Sequence, residues 1–148
     1  MISILDKLFS AKSRFSDLEN LILNSIRDQL TEEIREIWDH QISSINKIQR
    51  LPKNVEVNFY RMKNGKPSFN EQDSFPNKTR ELLLAKVVIT IPNSTVKVVS
   101  NIWCVNGFLF SIEYEGDIDY LIEAAGMDPQ PKIESDIKLI SNLAEVIN

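Results

Sequence analysis

Four groups of residues in this chain have the types and spacing to do chemistry. The densest is Glu113-Tyr-Glu-Gly-Asp-Ile-Asp119. On a strand Glu113 and Glu115 share a face, because side chains alternate, and Asp117 and Asp119 follow across Gly116. Clustered carboxylates suit Mg²⁺ or Ca²⁺, but the run lacks the later Gly and the bidentate Glu of a calcium loop. No metal ligand is therefore assigned. The acids further along add to the same negative field, so contact of Glu113, Glu115, Asp117 and Asp119 with a basic partner ranks above a metal. The plainer alternative is a solvated strand end followed by a helix cap.

The second group is Arg61-Met-Lys-Asn-Gly-Lys66, preceded by Phe59 and Tyr60. A basic hairpin with aromatics has the composition of a nucleic-acid surface, where cations meet the backbone and rings stack on bases. Arg61, Lys63 and Lys66 are the contact candidates. Alternation turns Phe59 inward, and a charged tip also blunts a sheet edge, so this is the secondary reading. The third and fourth candidates are single residues. His40 is the only histidine, and its neighbour Asp39 projects about 100° away around a helix. General base work by His40 would need groups from elsewhere in the chain. Cys104 is the only thiol, placed mid-strand opposite Leu109. It lacks the helix N-terminus or basic neighbours that make a thiolate and reads as a small packing residue.

One His and one Cys exclude a four-ligand Cys/His zinc site within one chain. There is no Gly-x-Ser-x-Gly elbow, no His-Glu-x-x-His and no Cys-x-x-Cys. With four glycines in all, a loop that wraps cofactor phosphates by close backbone approach is not expected. No catalytic residue and no cofactor is assigned.

The elements that must hold these groups are read from periodicity. Ile2, Leu5, Leu8 and Phe9 suit a short amphipathic helix. Ser16-Asp-Leu-Glu19 matches a capping box and opens a helix over 16–29. Thr31 is an N-cap candidate for a second helix over 32–49, striped by Ile34, Ile37, Trp38, Ile42, Ile45 and Ile48 and stopped before Pro52. Val55, Val57 and Phe59 then alternate as a strand, and Asn64-Gly65 turns it into a short edge strand. Leu82 to Ile91 is apolar on both sides, which suggests a central strand.

Thr95 to Val105 and Phe108 to Tyr114 form a hairpin about Asn106-Gly107, a pair suited to a two-residue type I′ turn. Uninterrupted pairing places Trp103 opposite Phe110 and Val99 opposite Tyr114. One face would then carry Val99, Trp103, Val105, Phe108, Phe110, Ile112 and Tyr114, to be covered by helices. A three-residue loop before Thr95 would set Val87 against Val99 and Leu83 against Trp103. Asp117 caps a short helix ending near Gly126, and Ser135 opens a last helix carrying Ile137, Ile140, Leu143, Ala144 and Ile147.

The expectation is one α+β domain over 1–148: helical over 2–50, an antiparallel meander of about four strands over 54–115, and C-terminal helices over 117–147. The N-terminal helices and a C-terminal helix pack on one sheet face. A chain of 148 residues buries a proper core without disulfides, and one cysteine fits a reducing compartment. The start lacks a basic region, and no apolar run reaches the ~20 residues of a membrane helix. A soluble, cytoplasmic protein is expected.

The net charge of −4 disfavours general affinity for nucleic acid or anionic membrane. Acids dominate 17–39 and the region from Glu113 onward, with basic residues concentrated over 47–66. In size and charge layout, without a shared motif, the chain resembles small bacterial accessory proteins, including immunity proteins that neutralise toxins. The favoured expectation is a non-catalytic protein–protein interaction module, in its sharpest form an acidic immunity- or antitoxin-like protein that masks a basic partner. The alternatives are nucleic-acid association through 47–66, and a small ligand binder or enzyme with a pocket between sheet and helices. Tyr60, Tyr114, Tyr120 and Cys104 are the polar candidates for such a pocket floor.

Overall fold

The computed structural model describes residues 14–147; the predicted helix over 2–9 lies outside them. Helix α1 (Asp17–Arg27) begins with the expected capping box. The Glu19 amide donates to Ser16 Oγ at 3.1 Å, and the Ser16 amide donates to Glu19 Oε1 at 2.8 Å, which satisfies two amides that the first turn leaves unpaired. Helix α2 (Glu32–Ser44) starts after Thr31, whose side chain makes no capping bond.

Helix α2 ends earlier than its isoleucine stripe suggests. Ile45 is already extended, and Lys47–Arg50 forms strand β1. Ile48 fits an inward position on either element, and antiparallel pairing with the next strand decides the matter. Strand β2 (Glu56–Tyr60) follows, then the small hairpin β3 (Met62–Lys63) and β4 (Lys66–Pro67) about Asn64-Gly65. Both turn residues have positive φ. Strands β5 (Glu81–Thr90), β6 (Lys97–Val105) and β7 (Phe108–Gly116) form the meander. Helix α3 (Ile118–Ala125) closes at Gly126.

The last predicted helix is a strand. Glu134–Leu139 forms β8, antiparallel to β5. The free edge of β5 offers a ladder of backbone partners, and Ile137 turns inward opposite Val87. The main sheet therefore has six strands in the order β1-β2-β7-β6-β5-β8, wider than the expected four. Every pairing in it is antiparallel, and the α+β class stands.

Two bulges set which face is covered. The type I′ turn pairs Val105 with Phe108 and Cys104 with Leu109, as the spacing predicts. Phe110 is then an extra residue, and Trp103 pairs with Ser111 rather than Phe110. Beyond it Val99 meets Glu115, and Tyr114 meets Ser100. On β5 a second bulge at Leu84 keeps Leu83 against Trp103 but brings Val87 to Ser100 and Val88 to Val99. Each slip of one residue exchanges faces.

The covered face is consequently the opposite of the aromatic one. It carries Val57, Phe59, Ala85, Val87, Ile89, Val98, Ile102, Cys104, Leu109 and Ile112, all buried. The helices contribute Leu18, Ile22, Leu23, Ile26, Ile34, Trp38, Leu121 and Ala125 to the same core.

Candidate functional site: the uncovered sheet face

The second face of the sheet carries no helix among the described residues. Val99, Trp103, Val105, Leu83, Val88, Phe110 and Tyr60 are half-buried by their neighbours and stand outside the core cluster. An antiparallel sheet can keep one face in water, but then it ordinarily alternates to polar residues there. This face does not. The Phe110 bulge turns its ring onto Tyr60, edge to face with centroids 5.6 Å apart, and Lys47 Nζ lies 5.8 Å from the Tyr60 ring centre. The Tyr60 hydroxyl donates to Gln49 Oε1 on β1.

Polar groups lie between the apolar ones. One cross-strand row runs Gln49, Asn58, Ser111, Trp103, Leu83. The next runs Glu56, Glu113, Asn101, Lys86, Lys138. Asn101 is only 5 % exposed. Its Oδ1 and that of Asn58 are buried without a hydrogen-bond partner. Such atoms are rare in folded proteins, because each forfeits its bonds to water.

Of the predicted acidic contacts, Glu113 and Glu115 lie on this face, as alternation required. Asp117 and Asp119 sit past it, at the start of α3, exposed. Asp119 Oδ1 accepts from Asn54 Nδ2 at 3.1 Å. Among the described residues, no three His, Cys, Asp or Glu side chains converge to hold a metal.

The basic candidates divide. Lys63 and Lys66 are exposed at the hairpin tip, whereas Arg61 is only 7 % exposed and is removed from any nucleic-acid surface. Its Nε donates to Ser44 Oγ at 3.0 Å and its Nη2 to the Gln41 carbonyl at 3.3 Å. The guanidinium lies 5.4 Å from the centre of the Phe108 ring. Burial lowers its pKa to about 10.

Beside Arg61, Gln41 is fully buried. Its Nε2 donates to the Asp73 and Gly107 carbonyls at 2.7 and 3.0 Å, and its Oε1 accepts from the Leu109 amide at 2.9 Å. This fastens α2 to the β6–β7 turn. The sequence gives no signal for it, since Gln41 lies among ordinary helical polar residues.

His40 does find its acid elsewhere in the chain. Its Nε2 lies 3.0 Å from Asp73 Oδ1, while Asp39 binds Arg27 through both oxygens at 2.7 and 2.8 Å. Cys104 is enclosed in the core, and burial pushes its thiol up to about 12, far from a reactive thiolate. A shallow cavity of about 320 Å³ lies between Gln29–Ile34 and Leu139–Leu143. None of Tyr60, Tyr114, Tyr120 or Cys104 lines it.

No helix among the described residues is long and apolar enough to cross a membrane. Comparison of the chain with protein-family models, with curated proteins and with solved structures finds no match. The molecule is thus an α+β protein with one sheet face covered by helices and one that no described helix covers.

Proposed function

We propose that this chain is a non-catalytic protein–protein interaction module that works through the uncovered sheet face. The observation that carries this reading is the row of half-buried rings and aliphatics, Tyr60, Phe110, Trp103 and Leu83, beside buried amide oxygens that lack partners. Aromatic side chains flanked by polar groups are the usual anchors of protein interfaces. Glu56, Glu113 and Glu115 add an acidic margin, which supports the finer reading of an immunity-like protein that meets a basic partner. Association with nucleic acid is weaker as a reading, because Arg61 is withdrawn into the interior.

The test is affinity capture of binding proteins from the native cell at low and high salt, with wild-type chain and with Trp103→Ala/Phe110→Ala as baits. Specific capture that the double variant loses, while its circular dichroism is unchanged, supports the reading. Equal capture by both baits places binding elsewhere and overturns it.

A further inference from the structure

The central row of the uncovered face has a symmetry that identifies an occupant. From β2 to β8 it reads Glu56, Glu113, Asn101, Lys86, Lys138. Asn101 stands at the midpoint, with two carboxylates on one side and two ammonium groups on the other. Glu56 lies directly opposite Glu113, and Lys86 directly opposite Lys138. Like charges directly across a ladder repel. Among the described residues, none of these four makes an ion pair. The isolated chain therefore carries two repulsive pairs and, between them, a buried amide oxygen with nothing to accept.

We propose that a second copy of this chain covers the face, related by a twofold axis that lies in the interface parallel to β6. The proposal rests on the interaction-module reading and names its partner. Rotation about that axis exchanges the two halves of the row. Glu113 then stands over Lys86 of the second copy, Glu56 over its Lys138, and Asn101 over its Asn101. Sheets that pack face to face lie about 10 Å apart. One contact thereby sets each like-charged pair against its opposite charge.

The same axis sets Trp103 on Trp103 and Val99 on Val99, places Glu115 over Val88 of the second copy and leaves Asp136 at the rim. An axis across the strands is disfavoured, because it would set Glu113 on Glu113 and Lys86 on Lys86. A uniformly basic partner matches only the glutamate half of the row. The contact is isologous and closes at two copies, with the strands of the two sheets aligned within about 30°.

Sedimentation velocity and light scattering of the full chain, from micromolar to submillimolar concentration, test this. Wild type is expected to form dimers that weaken with salt. Glu113→Lys and Lys86→Glu should each weaken association at least about tenfold, because each sets like charges face to face. The exchange Glu113→Lys/Lys86→Glu should restore it, with thermal melts showing that all three variants fold. Rescue by the exchange is the supporting result. A monomer throughout the range overturns the proposal. So does a dimer indifferent to the single charge changes, since it would use another surface, such as the β8 edge. If the chain is monomeric yet captures a different protein in a Trp103-dependent way, the interaction-module reading survives and only the second copy fails.

Discussion

The two faces of the sheet follow opposite rules. The covered face is built from aliphatic side chains around Ile102 and Ile112; Ser100 Oγ is buried there without a partner, while Gln41 and Arg61 at its margin are bonded. Gln41 meets the Asp73 and Gly107 carbonyls and the Leu109 amide, and Arg61 spends its donors on Ser44 and on main-chain carbonyls. The uncovered face holds Trp103, Phe110 and Tyr60, yet it leaves Asn58 and Asn101 unbonded and sets like charges side by side. Stability explains the first arrangement. Nothing among the described residues explains the second, and the proposed contact would supply opposite charges to its like-charged pairs.

The sharpest way to break this contrast is to truncate one tryptophan on each face. Trp38 on α2 is fully enclosed and packs against Phe75 at 6.3 Å. Trp38→Ala should cost about 3–5 kcal/mol in urea unfolding, as large core deletions do. Trp103→Ala removes a half-exposed side chain and should cost about 1 kcal/mol, while abolishing association. Equal costs for both would mean that Trp103 belongs to a folding core after all.

Two buried amides give the next comparison. Gln41→Leu strands the Leu109 amide and the Asp73 carbonyl and weakens the setting of the Arg61 cation. It should cost about 2–4 kcal/mol. Asn101→Leu deletes an acceptor that has no partner within the chain, so the fold should be unchanged or gain up to about 1 kcal/mol. Urea midpoints measured at concentrations where the chain is monomeric compare the two variants.

A smaller effect follows from pH. Burial raises the Cys104 thiol from 9.0 to about 12, so the folded chain keeps this proton after the unfolded chain has lost it. Its contribution is intact below pH 9 and is lost as pH rises toward 12. Tyr114 is also raised by burial and acts in the same direction. Arg61, lowered to about 10, acts in the opposite one. Comparison of wild type with Cys104→Ala leaves both of those largely common to the pair. Above pH 9 the wild type should lose stability faster than the variant, by up to about 1.4 kcal/mol per pH unit. Parallel curves under reducing conditions would place the thiol in contact with water.

Local signals in the sequence were reliable where a single short-range interaction decides structure. Ser16 with Glu19, Asn106 with Gly107, and Asn64 with Gly65 each do what their side chains or left-handed tolerance permit. The errors came from effects that act at a distance. The bulges at Leu84 and Phe110 carry no composition signal, yet each shifts a register by one and exchanges faces. Ser135 to Ile147 has helical spacing, but the vacant edge of β5 recruits Glu134–Leu139 as a strand. The site was half visible. Alternation placed Glu113 with Glu115, but the row from Glu56 to Lys138 spans five strands and exists only once their pairing is known.

The smallest expected change bears most directly on that row. Glu56→Lys replaces the repulsive Glu56–Glu113 pair with an attractive one on a partly exposed sheet face. Cross-strand charge pairs are worth about 0.2–1 kcal/mol, so the monomer should become more stable by about 0.5 kcal/mol. In the dimer the new ammonium group would face Lys138 of the second copy, and association should weaken. A substitution that strengthens the fold while it weakens the contact is the signature of a surface held away from its own stability optimum by function. If Glu56→Lys instead weakens the fold, the two carboxylates are already accommodated within one chain. The row would then lose its claim to be anything more than a solvated face.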